Sequence, residues 1–158
     1  MTNVRHGADA LNPAEIPDSY NSEDCIVLGY DEWNQSDWDR FAKATKVRIA
    51  QNASQTGLQY SVLDVERYAA TIEQAPGWLD AQAAIGARWK TVYCDQNNLA
   101  AVREACRGRA YYIWLAWWGH PQAVAGTVGV QCDGQVGGPD GYDESLFFDP
   151  SWHPAGSV

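Results

Sequence analysis

Apolar residues in this chain gather into short runs that alternate with longer stretches of helical spacing. Cys25-Ile26-Val27-Leu28-Gly29-Tyr30 is a compact apolar run, the pattern of a strand buried on both faces. Ser36 can cap a helix whose inner face holds Trp38 and Phe41. Residues 46–50 predict a weaker strand and residues 60–66 a third. A helix is expected within 72–85, with Trp78 and Leu79 among its apolar positions and Gly86 as its stop. The order then repeats as a strand over 89–93, a helix over 98–106 closed by Gly108, and a strong strand over 111–117. A last strand over 125–132 is weakened by Gly126 and Gly129.

Strands alternating with helices imply parallel pairing and right-handed crossovers. About six strands are predicted, whereas a full eightfold barrel usually takes ~250 residues. The chain has 158. The expected fold class is therefore α/β, a reduced or irregular TIM-barrel-like (β/α) domain with about six mainly parallel strands, or else an open sheet. Residues 1–24 are polar, contain Pro13 and Pro17, and show no periodicity, so they read as an N-terminal extended arm; residues 25–158 form the domain. From Gly134 the tail is rich in Gly and Pro and is expected on the surface until Leu146-Phe147-Phe148 and Trp152 anchor it.

Charge and composition narrow the possible partners. A formal charge of −9 with scattered basic residues argues against nucleic acid, whose phosphates need clustered Lys and Arg. No apolar run is long enough to span a membrane, and the first twenty residues lack the apolar stretch of a secretory signal. The expectation is synthesis in the cytoplasm without a signal peptide. Cys25, Cys94, Cys106 and Cys132 form no C-x-x-C pair, so they do not suggest zinc; buried free thiols are expected over two disulfides. His6, His120 and His153 have no second ligand at metal spacing, and no cofactor fingerprint is present, so neither metal nor cofactor is expected.

The most informative stretch is Val62-Leu63-Asp64-Val65-Glu66. In a strand, Asp64 and Glu66 point to one face, about 6.6 Å apart along it. Acids at the end of an apolar strand are costly to bury unless solvated, paired or used. The carboxyl ends of parallel strands are where α/β active sites form. Asp31 ends an earlier strand in the same sense. Crowded carboxyls in a partly apolar pocket have divided pKa values, as glycosidic bond cleavage requires. The plainer alternative is that Asp64 and Glu66 cap the next loop or pair with Arg67 or Arg88. Trp33, Tyr93, Trp117 and Trp118, at strand ends, are candidate faces for a sugar ring, and Gln131 can reach the pocket from the last strand.

An ordered series of segments resembles the glycoside-hydrolase-like domains related to family 25 lysozymes, especially the short actinobacterial and phage type. The series is Gly29-Tyr30-Asp31, Trp38 to Phe41, Val47-Arg48-Ile49, Val62 to Glu66, Ala75-Pro76-Gly77-Trp78, Thr91-Val92-Tyr93-Cys94, Tyr112 to Ala116, Gln131, and Tyr142-Asp143-Glu144-Ser145. The resemblance implies Glu66 as proton donor, Asp64 as its partner, and Asp31 and Asp143 as the remaining acids of the pocket floor. It implies action on bacterial cell-wall (peptidoglycan) glycan by carboxylate acid/base hydrolysis, in a virion or at the cell wall. The alternative is a catalytically inactive virion or surface protein that keeps the scaffold for binding or assembly, with residues 1–24 docking other virion proteins. An intracellular small-molecule enzyme on a similar sheet is a third, weaker reading.

Overall fold

The computed structural model describes residues 4–154. Among them, eight strands close into a barrel in chain order: β1 (Arg5–Asp9), β2 (Cys25–Gly29), β3 (Thr45–Ala50), β4 (Tyr60–Asp64), β5 (Thr91–Asp95), β6 (Tyr112–Ala116), β7 (Gly129–Val136) and β8 (Tyr142–Phe147). β1 to β7 are parallel neighbours, and β8 runs antiparallel to both β7 and β1. The fold is thus the irregular α/β barrel expected, with eight strands in place of about six.

So few residues can close a barrel because most connections are stripped down. Only three carry an α-helix: α1 (Gln35–Asp39) after β2, α2 (Ala75–Ala84) after β4, and α3 (Leu99–Ala105) after β5. Two short 3-10 turns join β1 to β2, and a tight hairpin joins β7 to β8. α1 is capped by Asn34 rather than Ser36. The Asn34 side chain accepts from the Asp37 N–H while the Asp37 carboxylate accepts from the Asn34 N–H, a reciprocal capping box. No helix of the described residues is long and apolar enough to cross a membrane.

The two additional strands come from the chain ends. Residues 5–9 are not an arm but β1, paired with β2 on one side and β8 on the other. Likewise the glycine-rich tail contains β8, which closes the ring. Neither strand carries a long apolar run: β1 is largely polar, and β8 is apolar at Leu146-Phe147, the end away from the polar site.

Side-chain parity sorts the core into layers. Ile26 and Leu28 of β2, Val47 and Ile49 of β3, Val62, Tyr93, Trp114 and Phe147 belong to one buried cluster, completed by Val128 and Trp152. Trp152 stacks on Phe147 with centroids 4.7 Å apart and donates its indole N–H to Thr91 Oγ1 at 3.0 Å. It thereby stoppers the end of the barrel where the parallel strands begin. A second cluster fills the space between α2, α3 and strands β4 to β6; a third joins α1 to the loops after β1 and β2. Cys94 and Cys106 are buried free thiols in the second cluster.

Candidate active site

At the carboxyl end of the barrel the inward series turns polar. The residue two beyond Val62 is Asp64, the residue two beyond Gly129 is Gln131, and the residues two and four before Phe147 are Ser145 and Asp143. On β1 the final residue, Asp9, joins them. Asp9, Asp64 and Gln131 are all at most 4 % exposed, a costly burial that the bond between Gln131 and Asp9 partly offsets. They lie beneath an open cleft of about 690 Å³ whose lining includes Asp9, Tyr30, Asp64, Glu66, Tyr68 and Asp143. Below it is a pit of about 100 Å³, where the same acids meet Tyr93, Trp114, Trp118 and Gln131.

Gln131 organises the pit. Its Nε2 donates to Asp9 Oδ1 at 3.1 Å and to Asp143 Oδ2 at 3.4 Å. Its Oε1 accepts from the Tyr93 hydroxyl at 2.9 Å and from the Trp118 indole N–H at 3.3 Å. Asp9 Oδ2 also accepts from the Tyr30 hydroxyl at 3.5 Å, and Asp143 Oδ1 from the Gln135 N–H at 2.7 Å.

The four carboxyls resist ionisation together. Burial is the leading cause for each. Asp64 is pushed up to about 8, by burial first and then by the charge of Glu66. Glu66 is also raised, with the Asp64 hydroxyl form donating to it and opposing the rise. Asp9 is held well above the ordinary carboxylate range by burial and by the nearby Asp143. Asp64 Oδ1 is buried without a hydrogen-bond partner. Glu66, one residue past the Val65 bridge to Ala70, is exposed on the rim. The site thus holds a deep acid that keeps its proton and a neighbouring acid open to the cleft.

The remaining candidates divide by parity. Tyr30 continues the inward series of Ile26 and Leu28, so Asp31 points the other way. It lines neither cavity and instead accepts from Arg48 Nη1 at 3.1 Å, Gln55 Nε2 at 2.6 Å and the Tyr60 hydroxyl at 2.5 Å. Burial works upward on Asp31, but bonds from Tyr60, Gln55 and Arg48 outweigh it and hold the carboxyl below its usual range. The acid expected from Asp31 comes from Asp9. Trp33 is 3 % exposed and packs on Trp38 at 4.6 Å, while its indole N–H donates to the Ala10 and Leu11 carbonyls. It braces the loop after β1 from behind and offers no sugar face. Just past the end of β6, Trp118 keeps the inward parity of Trp114 and lines the pit. Trp117 points outward and stacks on His120 at 4.0 Å. Tyr93, Gln131, Asp64, Glu66 and Asp143 are brought together as the strand pattern requires. Among the described residues no three His, Cys, Asp or Glu side chains are grouped to hold a metal ion.

No family model and no curated protein matches the sequence. Solved structures share its shape, two family 25 enzymes among them. A family GH25 lysozyme from Aspergillus fumigatus superposes with a TM-score of 0.55 at 14% identity, over 94% of this chain and 95% of that one. A glycosyl hydrolase 25 of Streptococcus pneumoniae, described as a virulence factor participating in host cell invasion, gives a TM-score of 0.60 at 15% identity, over 92% of this chain and 87% of that one. The superpositions take in nearly the whole of each chain: this chain has the fold of the family 25 lysozymes.

Proposed function

We propose that the protein is a glycoside hydrolase of the bacterial cell wall, cleaving peptidoglycan glycan with Glu66 as proton donor. The observation that carries this reading is the Asp64–Glu66 pair, a buried acid that keeps a proton beside an accessible one at the floor of an open cleft. Glycosidic cleavage needs a proton delivered to the leaving oxygen while positive charge builds on the sugar ring. The pair shares one proton: Glu66, whose carboxyl faces the cleft and whose pKa is raised, takes it from the Asp64 hydroxyl and delivers it to the leaving oxygen. Asp64 then takes up negative charge beside it or orients the substrate's acetamido group. Asp9 and Asp143, steadied by Gln131, turn carboxyl oxygens toward the developing cation from across the pit, as oriented dipoles. The lysozyme fold supports glycan as the substrate class, and the cell wall is the site of action that this reading proposes.

Purified cell walls test this directly. Glu66→Gln should lower release of soluble glycan by about 100-fold or more while leaving circular dichroism and the melting curve unchanged. A variant that solubilises walls as fast as the parent would falsify the assignment. Wall binding without turnover by the parent itself would assign the chain to a surface or virion protein that keeps the scaffold.

A further inference from the structure

We infer that Tyr68 is a stacking platform for a sugar ring in the outer part of the cleft, so that the turn after β4 helps decide how a glycan chain is seated. The inference rests on the glycan reading above and assigns a recognition residue to the same site.

Tyr68 breaks two rules at once. Its φ is 71°, in the left-handed region that bulky residues seldom adopt, and its side chain is 91 % exposed. The ring therefore gains almost nothing from burial while its backbone carries strain. Such a combination persists only where neighbouring structure fixes it, and here it does. The Ala69 N–H donates to the Glu66 carbonyl and the Ala70 N–H to the Asp64 carbonyl, each at 3.1 Å. Val65 N–H donates to the Tyr93 carbonyl at 2.9 Å, and Val65 bridges Ala70. The turn is thus riveted to β4 and β5 on either side of the strained residue.

Position gives the ring its task. Tyr68 lines the cleft with Glu66 and Arg67. It lies two positions beyond Glu66, about 7 Å at most along the backbone. β4 and β8 are four places apart in an eight-membered ring, so this turn stands opposite the β7–β8 hairpin, whose Pro139 and Asp140 line the facing wall. The Arg67 guanidinium lies over one face of the Tyr68 ring, 4.7 Å from its centroid, which fixes the ring's attitude. Pyranose rings present apolar C–H faces, and an exposed aromatic plane beside polar groups suits them.

The test uses a Glu66→Gln background, so that bound glycan is not consumed, and a soluble hexamer of β-1,4-linked N-acetylhexosamine titrated by calorimetry. Tyr68→Phe should keep Kd within about twofold, and Tyr68→Gly and Tyr68→Ala should weaken binding on the order of tenfold. Because Gly suits a positive φ, Tyr68→Gly should melt no lower than its parent. Unchanged binding by the Gly and Ala variants overturns this inference alone, as does a lowered melting temperature for Tyr68→Gly, which would make the ring a structural element. Failure of the Glu66→Gln parent to bind the hexamer removes the glycan reading and this one with it.

Discussion

Gln131 donates its side-chain N–H to Asp9 at 3.1 Å across a separation of 122 residues, joining the first strand of the barrel to the seventh. That bond links folding to chemistry, since the ring must close before the two side chains can meet. Gln131→Leu removes the partner of Asp9, of the Tyr93 hydroxyl and of the Trp118 indole in one step. Of these, the groups on Asp9 and Tyr93 are buried, and leaving a buried polar group unpaired costs about 1–3 kcal/mol. The variant should melt several degrees lower and lose most of its turnover, both measurable by thermal denaturation and wall solubilisation on the same preparation.

Asp9 and Asp31 exchange the roles that a linear reading gives them. Asp9→Asn should depress turnover by about 100-fold without destabilising the fold, because it removes a carboxyl that resists ionisation. Asp31→Asn weakens bonds from Arg48, Gln55 and Tyr60 and should cost about 1 kcal/mol of stability, with turnover within about twofold of the parent. Parallel assays of the two variants check the assignment. Loss of activity in the Asp31 variant at full stability would contradict it.

The proton on the Asp64–Glu66 pair sets a pH dependence with a definite sign. An unfolded aspartate titrates near 4, whereas folded Asp64 is pushed up to about 8. Between those values the folded protein binds the extra proton. The contribution of this group to stability is therefore fully present below about pH 4 and lost as pH rises to about 8. Melts across that window should show Asp64→Asn gaining on the parent as pH increases. Turnover should fall on the alkaline side near pH 8, as the pair loses its proton. An alkaline limb unmoved by mutation of Asp64 would speak against the pair.

Two tryptophans separate packing from recognition. Trp33→Ala opens a hole against Trp38 and Phe41 and releases the loop after β1, at a cost of about 3–5 kcal/mol. Trp118 is 58 % exposed, so Trp118→Ala should barely shift the melting temperature while raising KM for soluble glycan. Equal effects of the two on stability would show that the pit wall is structural.

Much of this could be read from the linear pattern. The apolar runs ending in Asp64 and in Ala116 mark strands buried on both faces, and period two places Asp64 and Glu66 on one side. The acid nearest the N-terminus was harder to find. Arg5-His6-Gly7-Ala8-Asp9 has no apolar run, and Gly7 leaves room for the Phe147 ring, whose nearest atom would lie 2.5 Å from a Cβ there. Strand counting offers the missing signal: a barrel that shows about six strands in a compact chain must draw the others from its polar ends. Parity also explains the Asp31 error. Once Leu28 is inward, Tyr30 is inward too, and Asp31 cannot be. Tyr68 has no local sequence mark, because its positive φ and exposure arise only from how the turn is pinned to β4 and β5.

The antiparallel seam between β1 and β8 pairs Arg5 with Phe147, so the described chain enters and leaves the barrel at the same pole, opposite the mouth of the cleft. Anything fused at either end, whether a reporter, a neighbouring domain or a solid support, hangs from the underside and leaves the opening unobstructed. The same adjacency makes the seam a natural place to reconnect the termini with a short linker and cut the chain elsewhere.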